Sequence, residues 1–432
     1  MTGASLYGGF AGTESARDQR NIDANPTILS GASTVDGANE NSFHVVTGAD
    51  GATLDGFTIT QGSAHTFVDE NEYGGGMYNR SASPTVTNCT FTSNTAAYGG
   101  GIANLNASPT VTNCSFIGNV AHYAGGGMEN AESSALTVTN CIFESNSAAS
   151  GGAINSDNSS PNISNCTITN NSAGSSGGGI ANSGSTSIIS QCQFSNNRAS
   201  YGGGMANFSG SSVISDCVFS GNTASRGIVL RGAGFEILGH GGGMANENES
   251  TDAIVNCVFV GNTSTDYGGG IEIQDSSPWV SNCTLANNSA AIEGGGLYAN
   301  QSPAARITNS IFWSDTVNGA VSEIAADPGS DAPAVSYSIV QGGYSSAAGV
   351  IDGDPLFVNL AAGDLHLSAG SPAIDAGDGC AIHVPLTDTD GKGRWDITNI
   401  PNGSTALDIG AFEYQGTPGI DDPIGTGCET VP

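Results

Sequence analysis

Basic residues are scarce in this chain of 432 residues, which has 9 Lys plus Arg against 40 Asp plus Glu and Lys392 as its single lysine. The formal net charge of −31 argues against nucleic acid and anionic membrane surfaces as partners, because both would repel so acidic a protein. Acidic polysaccharides are disfavoured for the same reason unless Ca²⁺ bridges the like charges. We therefore expect that the protein requires no cofactor and that it can bind Ca²⁺.

Long apolar runs are also missing, so we expect no direct insertion into a membrane. Residues 1–10 lack the basic stretch followed by an apolar stretch that begins an export signal. A repeat chain that is poor in bases and rich in Asn, Ser and Thr is nevertheless typical of exported proteins. We predict an extracellular or cell-surface location, with the export signal removed or the chain beginning inside a longer precursor.

Helix-favouring sequence is scarce as well, since the chain has 64 glycines and is rich in Ser, Thr and Asn throughout. What the sequence does contain is a repeat built around cysteine, with intervals of 25, 27, 25, 26, 25, 40 and 26 residues. Its eight cysteines are Cys89, Cys114, Cys141, Cys166, Cys192, Cys217, Cys257 and Cys283, and a ninth copy has Ser310 instead. A period in this range indicates a solenoid.

Each cysteine lies within the same local pattern, for example Val86, Asn88, Cys89 and Phe91. The cysteine and the phenylalanine share one face of a strand, because side chains alternate with a period of two. The valine has the wrong parity for that face, so a bend is predicted at the asparagine, which tolerates unusual backbone angles. Amides stacked at this place in every coil are predicted to form a hydrogen-bonded ladder.

Glycine triplets precede the pattern and predict a tight corner. They begin at Gly74, Gly99, Gly125, Gly177, Gly202, Gly241, Gly268 and Gly294, with a shorter variant at Gly151. Three short strands and three corners in about 26 residues describe one coil of a parallel β-helix. We therefore predict an all-β, right-handed parallel β-helix of about nine or more coils, with caps and a C-terminal module.

Repeat regularity divides the chain into four parts: an N-terminal cap with irregular coils (1–73), regular repeats (74–315), a β-rich capping or anchor-type module (316–414) and a flexible tail (415–432). The repeated cysteines are predicted to be buried free thiols, because parallel Cβ vectors in one column are poorly aimed for disulfides. Cys380 and Cys428 lie outside the repeat, and whether they form a disulfide is left open.

Two known families resemble parts of this sequence. The aromatic-x-x-Asn motif followed by Gly-Gly-Gly-Ile/Met, as in Phe91 to Asn94 before Gly99, resembles the repeats of chlamydial polymorphic outer membrane proteins over residues 85–300. A second resemblance is to the choice-of-anchor Q module of bacterial surface β-helix proteins. It covers the segments 336–343, 354–357, 370–377 and 408–414, and the opening 6–14 also looks like that group. These resemblances imply a surface-exposed β-helix with an adhesive role.

Candidate ligand-binding residues occupy the place just before the glycine corners. These are Tyr73, Tyr98, Tyr123, Tyr201 and Tyr267, with His122 and His240, and we expect them along one edge of the β-helix. Aromatic rings aligned at the spacing of the coils can stack on sugars, although covering the glycine corners is a sufficient structural reason for them.

Two irregular segments are further candidates, because loops on a regular scaffold often carry function. Between Asn222 and Gly241, 18 residues replace the usual four or five and include Arg226 and Arg231. This excursion is either a flap over the side of the β-helix or a wall of a binding cleft. The turn with Asp69, Glu70 and Glu72 is either solvated or a Ca²⁺ site.

No catalytic residue is assigned. Gly239-His240-Gly241 matches a short polygalacturonase motif, but the companion Asp motifs are missing and His240 occupies a variable position before a triplet. The sequence favours a non-catalytic surface-display or adhesive protein whose partners are glycans or other cell-surface molecules. A polysaccharide lyase or glycoside hydrolase is the main alternative. A structural spacer or filament subunit that associates end to end is a second alternative.

Overall fold

A computed structural model describes residues 3–33, 41–64, 69–231, 234–302, 304–330, 332–345, 348–381, 384–396, 407–415 and 422–423, with the backbone alone at residues 69–70, 228–231, 234–237, 395–396 and 422–423. The chain is an all-β parallel solenoid in which each regular coil contributes one strand to each of four sheets. The predicted fold is confirmed, but a coil has four short strands where three were predicted. The additional strand lies just before the glycine triplet, as at Thr95–Tyr98.

The chain forms two compact units: residues 1–210 with 227–237, and residues 211–226 with 238–432. In each regular coil, the strand after the glycine triplet belongs to sheet 1 and the strand with the β-branched residue belongs to sheet 2. The strand with the phenylalanine belongs to sheet 3, and the strand before the next triplet belongs to sheet 4. The four parts drawn from repeat regularity stay a prediction. No described helix is long and apolar enough to cross a membrane.

In the first unit, strands of each sheet pair in parallel from coil to coil. Sheet 1 contains Val46–Thr47, Met77–Arg80, Ile102–Leu105, Met128–Ala131, Ile154–Asp157, Ile180–Ser183 and Met205–Phe208. Sheet 2 contains Ser5–Tyr7, Thr53–Asp55, Thr85–Thr87, Thr110–Thr112, Thr137–Thr139, Asn162–Ser164 and Ile188–Ser190. Sheet 3 contains Thr27–Ser30, Phe57–Thr60, Thr90–Thr92, Ser115–Ile117, Ile142–Glu144, Thr167–Thr169 and Gln193–Ser195. Sheet 4 contains Ser63–Ala64, Thr95–Tyr98, Val120–Ala124, Ser147–Ser150, Ser172–Ser176 and Arg198–Ala199.

The second unit repeats the same four sheets. Sheet 1 contains Met244–Glu247, Ile271–Gln274, Leu297–Asn300 and Ile324–Ala326. Sheet 2 contains Val213–Ser215, Ala253–Val255, Trp279–Ser281, Arg306–Thr308 and Ala334–Ser336. Sheet 3 contains Val218–Ser220, Val258–Val260, Thr284–Ala286, Ile311–Trp313 and Ile339–Val340. Sheet 4 contains Thr223–Ala224, Thr263–Ser264, Ser289–Ala290 and Thr316–Val317, with Ala320–Val321 added antiparallel.

A few elements lie outside the coils. Two-stranded sheets pair Gly227–Arg231 with Gly234–Leu238, Phe357–Asn359 with Asp364–Leu367, and Trp395–Asp396 with Asp422–Pro423. The described helical segments are short 3₁₀ turns at Arg17–Gln19, Asp69–Glu72 and Leu360–Ala362. Regular structure is therefore almost entirely strand, as the glycine content indicates.

The interior of each coil is filled by the repeated apolar residues. Val86 and Phe91 are fully buried, and Phe91 stacks on Phe116 with ring centroids 5.0 Å apart. The eight repeat cysteines are buried free thiols, which confirms that prediction. Cys380 is disulfide-bonded, whereas Cys428 lies outside the described residues.

The bend before each cysteine has the predicted backbone geometry. Asn88, Asn113 and Asn140 have φ values of 51°, 54° and 55°. The continuous amide ladder, however, lies three residues after the phenylalanine. Buried Asn94, Asn119 and the equivalent residues of the next coils donate from Nδ2 to Oδ1 of the following asparagine at 3.0–3.1 Å. In the first unit the bend asparagines are more exposed than the ladder asparagines, and the Asn113 Nδ2 to Asn88 Oδ1 distance is longer, at 3.4 Å.

The part of the chain after the last coil, which includes Leu365, Arg394 and Ala411 and is called the C-terminal section, packs against the outer face of sheet 3 in the second unit. Val258, Thr284, Ile311 and Ile339 follow the cysteine position in successive coils and are at most 3% exposed. Leu365 and Ala411 pack on this face beside Val258. Arg394 binds the face through Asn256 Oδ1 at 2.6 Å and forms a buried ion pair with Glu413 at 3.0 Å.

Candidate functional site

A row of tyrosines lies beside the glycine corners of the first unit. Tyr73 and Tyr98 immediately precede Gly74 and Gly99, whose φ values of 63° and 66° turn the chain sharply. Their rings stack with centroids 5.1 Å apart, and the Tyr98 and Tyr123 centroids are also 5.1 Å apart. The coil spacing therefore aligns three rings, as the sequence predicts.

Tyr123 is the most exposed ring of this row, at 43%. The pairing of adjacent sheet 4 strands shifts register here, because Tyr98 pairs with Ala124 instead of Tyr123. His122 is exposed and contacts the edge of the Tyr123 ring at a centroid distance of 4.5 Å. This irregularity directs the Tyr123 ring outward.

Two further rings, Tyr78 of sheet 1 and His44, form a second layer behind this row. Tyr78 is 5% exposed and stacks on Tyr73 and on His44 at centroid distances of 6.1 and 5.0 Å. The His44 Nδ1 atom lies 3.1 Å from the Gly74 carbonyl oxygen, which fixes Nδ1–H as the donor. The rings are thereby held against the glycine corner.

A cavity of about 680 Å³ lies beside these rings. It is lined by Asn71, Glu72, Tyr73, Tyr78, Arg80, Leu105 and Glu132. We call the cavity together with Tyr98 and Tyr123 the tyrosine groove. It combines aromatic surface with a guanidinium and two carboxylates, a mixture suited to a polar ligand that also has flat apolar faces.

The phenols of Tyr73 and Tyr98 stay protonated at neutral pH, because the pKa of each is raised. Burial, helped by the nearby Glu72 charge, raises the pKa of Tyr73 to about 12. Burial also raises the pKa of Tyr98. Both hydroxyl groups therefore retain the proton with which they can donate hydrogen bonds to a ligand.

Glu129 is a buried carboxyl group next to the groove that sequence reasoning missed. It is the second residue of Met128–Ala131, pairs with Ala103 in the neighbouring strand, and is 3% exposed. Burial raises its pKa to about 8 despite a hydrogen bond of 3.1 Å from Asn155. The available signal was an acidic residue where the preceding coil has alanine.

The acidic turn adjoins the groove through its last two residues, Asn71 and Glu72. Asp69–Glu72 forms a 3₁₀ turn, and Glu72 lines the cavity. The side chains of Asp69 and Glu70 lie outside the described residues, so a Ca²⁺ site at this turn stays a prediction.

The predicted edge does not offer all its residues to a ligand. Tyr201, in the first unit, is 1% exposed, and His240, in the second unit, is 5% exposed, so neither ring presents a surface on which a sugar could stack. Tyr267 is half-buried in the second unit and stacks on Tyr298 with centroids 4.5 Å apart. The predicted row is thus reduced to Tyr73, Tyr98 and Tyr123.

The excursion forms a two-stranded sheet of Gly227–Arg231 and Gly234–Leu238, and its residues up to Ile237 belong to the first unit. A Cβ atom at Gly227 would lie 2.0 Å from Ser200 Oγ, so this two-stranded sheet begins in close contact with a coil of that unit. The Arg231 side chain lies outside the described residues. In the second unit, Arg226 is engaged by Asp266, whose Oδ1 atom accepts from Nε at 2.9 Å.

Comparison with known proteins identifies the architecture. A family model described as "Right handed beta helix region" matches residues 30–188 and 173–312. No curated protein matches the sequence. A crystal structure of pectate lyase Pel9A matches with 14% identity and a TM-score of 0.34, covering 95% of this chain and 86% of that one. A match this distant says nothing of activity.

Proposed function

Because this chain belongs to the family of proteins with a right-handed β-helix region, we propose that it is an extracellular surface-display or adhesive protein that binds carbohydrate in the tyrosine groove without cleaving it. The aligned row of Tyr73, Tyr98 and Tyr123 is the observation that supports this proposal. The narrower resemblances to the chlamydial repeats and the choice-of-anchor Q module agree with the proposed location and remain predictions.

The chemistry of the groove favours a saccharide over other ligands. Tyrosine rings offer flat apolar faces for the C–H faces of sugar rings, and their hydroxyl groups supply polar contacts. Arg80 and Glu132 line the cavity and supply a donor and an acceptor for sugar hydroxyl groups. The net charge of −31 favours neutral sugars over polyuronates.

The test is binding of neutral and acidic oligosaccharides by calorimetry to the wild-type chain and to Tyr98→Ala. Loss of one stacked ring should weaken binding about three- to tenfold. Phe10→Ala is the control, because Phe10 is 40% exposed and does not line the groove. Absence of binding to the wild type, or equal weakening in both variants, would overturn the proposal.

A polysaccharide-active enzyme is the second candidate, and Glu129 is the observation that favours it. A carboxyl group with a pKa of about 8 holds its proton at neutral pH, as a general acid must. If the groove is catalytic, the wild-type chain releases new reducing ends or unsaturated products from a polysaccharide, and Glu129→Gln abolishes the release. Binding without product release counts against this candidate.

A further inference from the structure

Three ionisable side chains come together in the second unit, and the groove proposal uses none of them. The ligand atoms of His240, Glu247 and Glu272 all lie within 4.8 Å of one another. The three residues are only 5%, 2% and 0% exposed. They are 7 and 25 residues apart in the sequence, so the cluster is a product of coiling.

Strand register explains how the cluster forms. Glu247 is the last residue of Met244–Glu247, and Glu272 is the second residue of Ile271–Gln274 in the next coil. Ala245 pairs with Glu272, so the two glutamates lie on the same outward face of sheet 1, two residues apart along the strands. His240 precedes the Gly241 corner and reaches this face from the other side of the turn.

The buried carboxylate group of Glu272 favours a bound cation in this cluster. Neither carboxylate oxygen of Glu272 accepts a hydrogen bond within the described part of the chain. His240 Nδ1 lies 3.5 Å from Glu272 Oε1, which is beyond a good hydrogen bond. Glu272 is fully buried, and a buried carboxylate group whose oxygens accept no hydrogen bond is costly unless a cation pairs with it.

The observed separation suits two ligands of one metal ion. With metal–nitrogen and metal–oxygen bonds of about 2.0–2.2 Å, two ligands of a tetrahedral ion lie about 3.4 Å apart. Imidazole nitrogen with carboxylate oxygen is a donor set for Zn²⁺ and other first-row divalent ions, whereas Ca²⁺ and Mg²⁺ prefer oxygen alone.

We propose that His240, Glu247 and Glu272 bind one divalent transition-metal ion such as Zn²⁺. The ion joins the glycine corner to two adjacent coils and neutralises the buried carboxylates. Glu129 differs from Glu272 in this respect. Each is the second residue of a sheet 1 strand, but Glu129 accepts a hydrogen bond from Asn155. The metal site is independent of the tyrosine groove.

The test begins with the full chain after treatment with EDTA. Calorimetric titration with Zn²⁺ should show one saturable site, and Glu272→Gln or His240→Gln should weaken it at least tenfold. Glu129→Gln is the matched control and should bind Zn²⁺ as the wild type does. Equal Zn²⁺ affinity in all four proteins would mean that surface carboxylates bind the ion and would overturn the proposal.

A second measurement needs no variant and applies even if the substitutions prevent folding. Co²⁺ added to the EDTA-treated wild type should give the visible absorption of a low-coordinate site with nitrogen and oxygen ligands, and one equivalent of Zn²⁺ should abolish that absorption. Absence of this band, or a band that Zn²⁺ does not displace, would contradict the proposed site.

Discussion

Glu129 is the residue whose burial has the clearest thermodynamic consequence. Its pKa is raised from 4.5 to about 8 in the folded chain. Folding therefore favours the protonated carboxyl group, whose contribution to stability is fully present below about pH 4.5 and is lost as the pH rises to about 8. The free energy of unfolding should fall across this window by about 1.4 kcal/mol per pH unit on account of this group.

Glu129→Gln isolates that contribution, because glutamine cannot ionise. The difference in unfolding free energy between variant and wild type, measured by urea denaturation from pH 4 to pH 9, should shift in favour of the variant as the pH rises. Asp315 and Glu323, where burial raises the pKa to about 7 and about 10, remain in both proteins and cancel in the difference. A difference independent of pH would show that folding does not raise the pKa of Glu129.

Individual residues also show which features the sequence predicts and which it does not. The bend at Asn88 follows from side-chain parity alone and is confirmed. The burial of Tyr201 and His240 does not follow, because each immediately precedes a glycine triplet, as the half-buried Tyr73 and Tyr98 do. What distinguishes them is the set of neighbours brought by other coils, which no local pattern encodes.

At the scale of structural elements, the buried amide ladder is the main polar component of the interior. Asn146 accepts at Oδ1 from the backbone N and Nδ2 of Asn119, and donates from Nδ2 to Phe116 O and Asn171 Oδ1. Asn146→Ala leaves these groups buried without partners, so we expect a loss of about 3 kcal/mol or more in unfolding free energy. Urea denaturation measures the loss.

Asn140→Gly is the matched control for this substitution. Asn140 lies at the bend before Cys141, with an exposed side chain and a φ of 55° that glycine adopts freely. We expect a change within about 1 kcal/mol. If Asn140→Gly cost as much as Asn146→Ala, the ladder would not be the more important element.

The position of the ladder was predicted incorrectly for an identifiable reason. Both asparagine positions recur once per coil, and periodicity alone does not indicate which of them points inward. The covering of sheet 3 by the C-terminal section was likewise not anticipated. Its signal is visible in retrospect, because the outward position after the cysteine reads Thr90 and Ser115 in the first unit but Val258 and Ile311 in the second.

At the scale of the whole molecule, the cysteine period was enough to predict a parallel β-helix. Each coil repeats the same register, so one correct coil predicts the others. The metal cluster was beyond this reasoning, because His240, Glu247 and Glu272 occupy three different repeat positions. Repeats therefore predict the scaffold better than they predict the sites built on it.

The net charge of −31 gives a prediction that concerns the entire chain. Repulsion among carboxylates opposes the folded state and is screened by salt, so the melting temperature should rise by a few degrees between about 20 mM and about 500 mM NaCl at pH 7. Calorimetry at pH 4, where many carboxyl groups are protonated, is the control and should show a smaller rise. A fall in melting temperature with salt at pH 7 would contradict this view.

Carbohydrate binding without cleavage can be tested by measuring the retention of a polymer and the release of products in the same experiment. Immobilised wild-type chain is incubated with neutral polysaccharides and with pectin, alginate and glycosaminoglycans, with and without Ca²⁺. We expect that at least one polymer is retained, that Tyr98→Ala retains it more weakly, and that no new reducing ends or unsaturated products appear. Product release from any polymer would contradict it.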